Sequence, residues 1–336
     1  MRSVRVLDTY DVGIGPAPAA SDSSFIISDE NVWPLYGGAF DGLPCLVLPA
    51  GEETKSPETW ARCVSWLSQS GADRSSTVIA LGGGVIGDLA GFAAATFMRG
   101  VRFVNIATSL IAQVDASIGG KTGVDLPEGK NLAGAFYQPG AVWCDPRHLS
   151  SLPDRQFCNG MAEVLKYGFI MDTELLGWLS EERPSKGDAD KLEEMIFRCC
   201  TDKAAVVNED PLEQTGRRSI LNFGHTVGHA LEQALGYRNL LHGEAVMIGM
   251  VAEAAIGEKI GVTTAGVRAR VEEYALRYSL PTVLPGPDLV ETIMAAMRRD
   301  KKAQGGRIAM ALLKGIGESE LAVSVDESAV REVLCG

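Results

Sequence analysis

The chain has 336 residues, of which 46% are hydrophobic and 22% are charged. This length suffices for two domains, and this balance is typical of a globular protein. The formal net charge of -12 argues against nucleic acid or an acidic membrane surface as a partner. No apolar run reaches the ~20 residues that span a bilayer, and the N-terminus has no signal-peptide core. The seven cysteines include no C-x-x-C pair, so we expect a reduced, cytoplasmic protein.

The first part of the chain alternates short apolar segments with helical patterns. Buried strands are predicted at 23–28, 45–50 and 76–84, and an amphipathic helix at 56–71. The segments "VRFVNIAT" and "AVWCDP" predict further strands. Strands that alternate with helices indicate a mostly parallel α/β sheet.

Beyond residue 150 the pattern changes, and strand signals nearly disappear. We therefore predict an α/β domain at 1–150 followed by a helical domain at 151–336. The predicted helices of the second domain are 158–180, 190–208, 224–236, 243–260, 264–279 and 287–300.

A glycine-rich turn, "LGGGVIGDLAGF" (81–92), follows a predicted strand and opens a predicted helix. Its glycines fit G-x-G-x-x-G, which lets a pyrophosphate approach the backbone at a helix N-terminus. A tight strand-to-helix turn explains the same glycines. The acidic residue expected about 20 residues further on is missing. Glu52 and Lys55, which follow an earlier strand, offer a substitute ribose contact or form a solvated turn.

Three of the four histidines fall in one short segment. His225 and His229 lie one helical turn apart, and His242 precedes the next helix. Zinc prefers imidazole and carboxylate ligands, and Glu163, in an apolar helix, is a candidate for the carboxylate. A salt bridge from Lys166 to that acid is the alternative. The absence of H-E-x-x-H disfavours a metalloprotease.

Cations and amides recur in the second half of the chain and in the glycine-rich segment 115–140, which we expect to be a weakly structured loop. In an acidic protein they indicate a small polyanionic ligand, although each one taken singly fits a surface charge. They are Lys121, Lys130, Asn131, Lys203, Arg217, Arg218, Asn222, Lys301 and Lys302.

Several long motifs, in order, resemble the 3-dehydroquinate synthase family of the sugar phosphate cyclase superfamily. They are "GGGVIGDLAGFAAATFMRG", "QVDASIGGKTGVDLPEGKN", "GAFYQP", "AEVLKYG", "LNFGHTVGHALE" and "LHGEAV". The resemblance spans residues 25 to 315. It implies a Rossmann-like N-terminal domain, a helical C-terminal domain and an active site in the cleft between them. It also implies a cytoplasmic homodimer with bound NAD and one divalent metal, zinc or cobalt.

The resemblance also implies roles for individual residues. Glu163, His225 and His242 correspond to the metal ligands. The catalytic set is His229, Glu213, Lys121, Asn131 and Arg218. The NAD contacts are Asp29, Asn31, Glu52, Lys55, Gly83, Gly84, Val85, Asp88, Thr108, Ser109, Asp115, Lys130 and Ser151. The substrate contacts are Arg99 (from the partner subunit), Asp115, Lys121, Asn131, Lys166, Lys203, Arg218, Asn222, His229 and one of Lys301 and Lys302.

The implied reaction converts 3-deoxy-D-arabino-heptulosonate 7-phosphate to 3-dehydroquinate and phosphate. It proceeds through transient oxidation by NAD, phosphate elimination, reduction and aldol closure. Two alternatives stay open: a sister cyclase such as an amino-dehydroquinate synthase, and a metal-dependent polyol dehydrogenase. The chain departs from the family at "DPLEQTGRR", where one extra residue separates Glu213 from Arg218. That shift weakens the prediction for Glu213.

Overall fold

A computed structural model describes residues 2–299, 303–304 and 307–336. The strands are β1 Arg2–Val6, β2 Tyr10–Ile14, β3 Ser24–Asp29, β4 Cys45–Leu48, β5 Thr77–Gly82, β6 Arg102–Ala107, β7 Lys121–Leu126, β8 Gly129–Phe136, β9 Ala141–Cys144, β10 Ala303–Gln304, β11 Arg307–Gly315 and β12 Glu318–Asp326. The helices are α1 Trp33–Tyr36, α2 Pro57–Gln69, α3 Gly84–Thr96, α4 Asp154–Ile170, α5 Thr173–Glu181, α6 Ala189–Glu209, α7 His225–Ala234, α8 His242–Lys259, α9 Val267–Arg277, α10 Val290–Arg299 and α11 Glu327–Cys335.

The chain forms two compact units. The first comprises Met1–Leu152 and Pro184–Leu212, and the second comprises Pro153–Arg183 and Glu213–Gly336. The division at Leu152 lies close to the boundary expected from the sequence, but the segment that carries α6 belongs to the first unit. Its Lys203 ammonium donates to Asp115 at 2.7 Å, and its Asn208 accepts from the Leu7 backbone. The apolar face of α6 predicts packing, but it does not specify the partner.

The first unit is built on a seven-stranded sheet in the order β1-β2-β9-β6-β5-β3-β4. Strands β4, β3, β5, β6, β9 and β2 are parallel, and β1 joins β2 as an antiparallel hairpin. Successive residues of β5 face two different cores: Val78 and Ala80 pack under α2 and α3, whereas Ile79 and Leu81 pack on the opposite face. Burial on both faces explains the continuous apolar runs, as expected of a parallel sheet.

The strand order places a switch point between β3 and β5. From β3 the chain moves outward to β4, and from β5 it moves the other way to β6 and β9. Helices that connect such strands leave a crevice at their carboxyl ends, where ligands bind in open α/β sheets. This edge of the sheet is therefore the natural position for a cofactor.

The glycine-rich segment 115–140 is more regular than the sequence predicted. Instead of a weakly structured loop, β7 and β8 form an antiparallel hairpin with Gly123 opposite Gly134. A Cβ on Gly134 would lie 2.1 Å from the Thr122 carbonyl oxygen. The glycines thus serve close strand pairing, a role that composition alone does not distinguish from a flexible loop.

The second unit is mainly helical and includes a nearly all-buried α8, and the single helix predicted at 158–180 is two helices, α4 and α5. In α8, 13 residues between Gly243 and Gly257 are buried, as in a helix that is apolar on all sides. The helical character predicted for this part of the chain is present, but β10, β11 and β12 also form an antiparallel sheet that was not predicted. The alternating pattern of β12, "ESELAVSVD", was the overlooked signal. Among the described helices, none is both long and apolar enough to cross a membrane.

Candidate active site

Three helices of the second unit bring four candidate side chains together. Glu163 lies in the middle of α4 and is fully buried. His225 is the first residue of α7, His229 follows one turn later, and His242 is the first residue of α8. Two of the three imidazoles are thus carried by the first residue of a helix.

The four side chains form one cluster. The Glu163 Oε1 atom lies 3.5 Å from His225 Nε2 and 3.5 Å from His242 Nε2. The ligand atoms of His225, His229 and His242 all lie within 4.8 Å of one another. The sequence spacing alone indicated only the pair on α7, and the fold adds the other two.

This geometry fits a tetrahedral metal ion. Metal–ligand bonds of about 2.1 Å at tetrahedral angles put two ligand atoms about 3.4 Å apart. The two distances from Glu163 match that spacing within a tenth of an ångström. One carboxylate and two imidazoles also leave a coordination position for a substrate oxygen, as catalytic zinc sites do. The donor set therefore suits zinc or cobalt.

Further contacts orient the two imidazoles. His225 Nδ1 lies 3.2 Å from the Phe223 carbonyl oxygen, and His242 Nδ1 lies 3.3 Å from Glu232 Oε2. Each contact leaves Nε2 directed at Glu163, as is usual for metal-binding histidines. The sequence reasoning missed Glu232. A buried acid seven residues after His225, on the same face of α7, was the available signal.

The two imidazoles differ in their electrostatics. Burial lowers the pKa of His225 well below 6.5, and this outweighs the attraction of Glu163. A neutral imidazole is the form that binds a metal. Burial also opposes protonation of His242, but the carboxylates of Glu163 and Glu232 raise its pKa to about 10. The two carboxylates thus favour a positive charge at His242. A divalent cation that binds the imidazole would have to displace its proton.

Lys166 lies within the same cluster. Its ammonium is 2.5 Å from Glu163 Oε2, and its side chain is only 1% exposed. The salt bridge considered from the sequence is therefore present. It is compatible with a metal on Oε1, because the two contacts use different carboxylate oxygens.

The other predicted residues of the second unit lie just before α7. Arg218 is buried and Asn222 half-buried in the 3₁₀ turn Arg217–Asn222, which ends three residues before His225. Glu213 is exposed, with a positive φ of 57°. Glu213 thus lies in an irregular, exposed segment, at the position where the chain has one residue more than the family pattern.

In the first unit, most predicted cofactor residues follow the carboxyl ends of parallel strands. Asp29 ends β3, Glu52 and Lys55 follow β4, Gly83 follows β5, and Thr108 and Ser109 follow β6. This common position comes from the fold, because parallel strands share an edge. It also explains the missing acid after the glycine turn. The turn follows β5, so a ribose contact from β4 lies on the far side of the switch point.

The glycine turn fits a phosphate group. Gly83 is the N-cap of α3, and no side chain caps this helix. The first N–H groups of a helix have no intrahelical partner, and they carry the positive end of its dipole. A Cβ on Gly83 would lie 3.2 Å from Ser109 Oγ, so glycine keeps this approach open. Val85 lies in the same first turn.

A buried lysine links two other predicted residues. Lys55 is 5% exposed, and its ammonium lies 2.6 Å from Asp88 Oδ2 and 2.5 Å from Asn131 Oδ1. Burial raises the pKa of Asp88 even beside Lys55, and the neighbouring carboxylates raise the pKa of Lys55 against its own burial. Lys130 lies 3.5 Å from Glu52 Oε1 in the same cluster. Asn131, assigned to the substrate, thus contacts a residue assigned to the cofactor.

All but two of the remaining predicted residues belong to the first unit. Lys203 donates to both the side chain and the carbonyl oxygen of Asp115 at 2.7 Å. Arg99 and Lys121 are exposed, and Arg99 has a φ of 69°. Ser151 accepts or donates a 2.6 Å hydrogen bond with Tyr36. Asn31 is exposed, and its N–H donates to Asp29. Lys301 and Lys302 lie outside the described residues.

Two family models match consecutive parts of the chain. The profile of the 3-dehydroquinate synthase N-terminal family matches residues 45–159, and that of the C-terminal family matches residues 160–303. A 3-dehydroquinate synthase from Xanthomonas axonopodis pv. citri (strain 306) is 46% identical over 330 residues, which cover 93% of this chain and 89% of the relative.

Two solved structures of sugar phosphate cyclases share the fold. The 2-epi-5-epi-valiolone synthase from Streptomyces hygroscopicus subsp. jinggangensis 5008, with NAD⁺ and Zn²⁺ bound, is 30% identical with a TM-score of 0.86 over 99% of this chain and 97% of that one. A 2-deoxy-scyllo-inosose synthase complexed with carbaglucose-6-phosphate, NAD⁺ and Co²⁺ is 25% identical with a TM-score of 0.86 over 99% of both chains. Both the matched profiles and the identity over nearly the whole chain show that the protein belongs to the 3-dehydroquinate synthase family.

Proposed function

We propose that this chain is a cytoplasmic, NAD- and metal-dependent carbon–oxygen lyase that converts 3-deoxy-D-arabino-heptulosonate 7-phosphate to 3-dehydroquinate and phosphate. The observation that carries the proposal is the cluster in which the Nε2 atoms of His225 and His242 both lie at tetrahedral spacing from Glu163 Oε1, with His229 one turn further along α7. It occurs in a chain that is 46% identical to a 3-dehydroquinate synthase.

Glu163, His225 and His242 would hold the metal. When bound, a divalent cation supplies Lewis acidity toward substrate oxygens. The protein's own contribution is to fix the donors: Glu232 and the Phe223 carbonyl orient the imidazoles, and Lys166 holds the second oxygen of Glu163.

The carboxyl edge of the sheet would hold NAD, which supplies a hydride acceptor and donor. The first turn of α3, with Gly83, Gly84 and Val85, would bind the pyrophosphate. Glu52 and Lys55 would take the ribose contact that the glycine motif lacks. Asp29, Asn31, Asp88, Thr108, Ser109, Asp115, Lys130 and Ser151 would complete the site.

Cations and amides would fix the carboxylate and phosphate of the substrate. By correspondence with the family motifs, these groups would be Lys121, Asn131, Asp115, Lys166, Lys203, Arg218 and Asn222. Preformed contacts of this kind lower the cost of orienting a flexible substrate for several successive steps. His229 would transfer a proton, since an exposed imidazole at a metal site is accessible to substrate.

The residue set favours a substrate that carries a carboxylate, as a dehydroquinate synthase requires. Arg218, Asn222, Lys203 and His229 together present more anion-binding groups than a neutral sugar phosphate needs. An amino-dehydroquinate synthase would use nearly the same groups and is the alternative. A polyol dehydrogenase differs in outcome, because it accumulates NADH.

Phosphate release from the heptulosonate 7-phosphate, followed together with absorbance at about 340 nm, tests the proposal. We expect stoichiometric phosphate and dehydroquinate with no net NADH. Net NADH without phosphate would indicate a dehydrogenase. Turnover of the amino analogue alone would identify the sister cyclase, and no phosphate release with metal and NAD present would refute the proposal.

We further propose a homodimer in which Arg99 contacts the partner's substrate. Its exposure is compatible with this role. Light scattering gives the oligomeric state. Mixing Arg99→Ala chains with His225→Ala chains tests whether Arg99 acts in the partner's site. A mixed dimer then holds one complete site, so activity should rise above the mean of the two separate variants, and no rise would contradict the proposal.

A further inference from the structure

Helix α7 begins without a cap of its own. Its N-cap is Gly224, which has a φ of 83° and no side chain to accept from the first N–H groups. Helices usually satisfy one or two of these donors through a Ser, Thr, Asp or Asn at this position. The helix that carries His225 and His229 therefore depends on another element for its start.

The glycine is required by the neighbouring helix. A Cβ on Gly224 would lie 2.3 Å from Met250 Cγ and 2.6 Å from the Val246 carbonyl oxygen. Conversely, a Cβ on Gly249 would lie 1.9 Å from the Gly224 carbonyl oxygen. The backbones of α7 and α8 are thus in direct contact at the start of α7.

Glu253 of α8 supplies the missing cap. It is fully buried, and its carboxylate accepts from the Gly224 N–H at 2.6 Å and from the Val227 N–H at 3.0 Å. These donors lie on either side of His225. A carboxylate is the favoured group at this end of a helix dipole.

The same stripe of α8 carries a metal-ligand candidate and the cap. His242, Val246, Gly249 and Glu253 follow at i, i+4, i+7 and i+11, which places them along one helix face. At the other end of this stripe, His242 contacts Glu232 of α7 at 3.3 Å. Helix α7 is therefore fixed to α8 at both of its ends by buried acids.

A third contact joins α4 to the same assembly. Asn159 Oδ1 accepts from the Gly243 N–H at 2.6 Å, next to His242. Asn159 is one turn before Glu163 on α4. Side chains that contact backbone N–H groups thus tie together the three helices that carry Glu163, His225 and His242.

We propose that Glu253 is a positioning residue for the metal centre, acting through the start of α7. It sets where His225 stands relative to His242 and Glu163, so the site is formed before the cation binds. This inference rests on the proposed metal dependence. A neutral glutamine at this position offers one acceptor and turns an amide N–H toward the second backbone donor, which loosens the helix start.

The chain provides a matched control. Glu258 is on the same helix, and its Oε1 accepts at 2.8 Å from the Arg268 N–H. That donor lies at the start of α9, whose N-cap is Gly266 with a φ of 94°. Helix α9 carries none of the proposed metal ligands, so Glu258→Gln makes the same chemical change at another glycine-capped helix start without touching the site.

The test is competition for Zn²⁺ between the full-length apoprotein and a chromophoric chelator. We expect Glu253→Gln to weaken Zn²⁺ binding by about tenfold or more, the usual effect of losing an outer-shell partner. We expect Glu258→Gln to change it by less than about twofold. The visible spectrum of the Co²⁺-loaded protein should shift in Glu253→Gln alone, because it reports ligand geometry. NAD affinity should be unchanged in both variants.

The outcomes separate the inference from the proposed function. Equal Zn²⁺ affinity and identical Co²⁺ spectra in wild type and Glu253→Gln would overturn the positioning role. Absence of stoichiometric metal in the wild type would instead refute the proposed metal dependence. If Glu253→Gln does not fold, Glu253→Asp keeps the charge on a shorter side chain. It should still shift the Co²⁺ spectrum, and a wild-type spectrum would contradict the inference.

Discussion

The three clustered histidines show how position decides the role of one residue type. His225 is 12% exposed and His242 32% exposed in their side chains, and both Nε2 atoms face the same carboxylate oxygen. His229 is on the same helix as His225 but is exposed. Its ring centroid lies 5.2 Å from that of His225 and 5.7 Å from that of His242, so it is the exposed member of the cluster. This difference in exposure supports the proposal that the first two histidines bind the metal and that the third transfers a proton.

Replacing His229 by alanine should lower turnover by about 10² to 10⁴, the usual contribution of a general acid or base. Bound zinc, measured by atomic absorption, should stay near one per chain. His225→Ala is the comparison and should lose most of its zinc. Loss of stoichiometric zinc from His229→Ala would show that His229 is a ligand.

Lys55 is a buried residue whose contacts predict a role in both stability and NAD binding. Replacing it by methionine leaves Asp88 without the closest cation, and breaking such a buried pair costs about 3 kcal/mol. We expect this loss in urea unfolding and a rise of at least about tenfold in the NAD dissociation constant. Lys130→Met removes a looser, 3.5 Å contact and should cost less than about 1 kcal/mol. Similar unfolding energies for the two variants would contradict this assignment.

At the scale of elements, close approach of helices is what builds the second unit's site. Glycines on both α7 and α8 allow the backbones to touch. A Cβ on Gly228 would lie 3.1 Å from the Ala245 carbonyl oxygen, which repeats the contact one turn beyond Gly224. The metal-ligand candidates at the two helix starts depend on this packing, because larger residues would separate the helices.

Gly249→Ala should therefore destabilise the protein by about 1–3 kcal/mol, the range for overpacking. The added Cβ meets backbone rather than a movable side chain. Gly177→Ala is the matched control within α5, where a Cβ meets nothing within 4 Å. It should be neutral or stabilising by up to about 1 kcal/mol, because alanine is the better helix former. Chemical denaturation measures both, and equal effects would argue against the close contact.

At the scale of the whole molecule, the residues proposed to bind NAD and those proposed to bind the metal belong to different units. The proposed cofactor residues all belong to the first unit, and the proposed metal ligands all belong to the second. The segment Pro184–Leu212 returns to the first unit, so Lys203 is part of the same compact body as the cofactor residues. Binding of the two ligands can thus be measured separately.

Metal removal should abolish phosphate release but leave NAD binding within about threefold of the untreated protein. Titration calorimetry of the chelated protein measures the second quantity. Zn²⁺ or Co²⁺ should restore activity and raise the melting temperature, because a ligand that binds only the folded state stabilises it. A large loss of NAD affinity on chelation would show that the cofactor site depends on the metal.

The sequence by itself determined the local and motif-level features of this protein. Apolar runs identified the buried parallel strands, the glycine turn marked the start of α3, and long ordered motifs identified the family. Helices α6 to α10 lie close to their predicted bounds, whereas the single helix predicted at 158–180 is two helices, α4 and α5, and α11 was not predicted. Glu163, a charged residue in an apolar helix, was already a candidate before any contact was known.

Only the tertiary structure decided which residues meet. A periodic pattern shows that a face is buried but not against what, so neither α6 in the first unit nor the caps from Glu253 and Asn159 followed from the sequence. The hairpin of β7 and β8 and the C-terminal sheet were missed, since glycine-rich and weakly alternating segments become strands only when a partner strand is present. The same reason separates His225 from His229: their spacing is local, whereas the carboxylate that distinguishes them is 62 residues away along the chain.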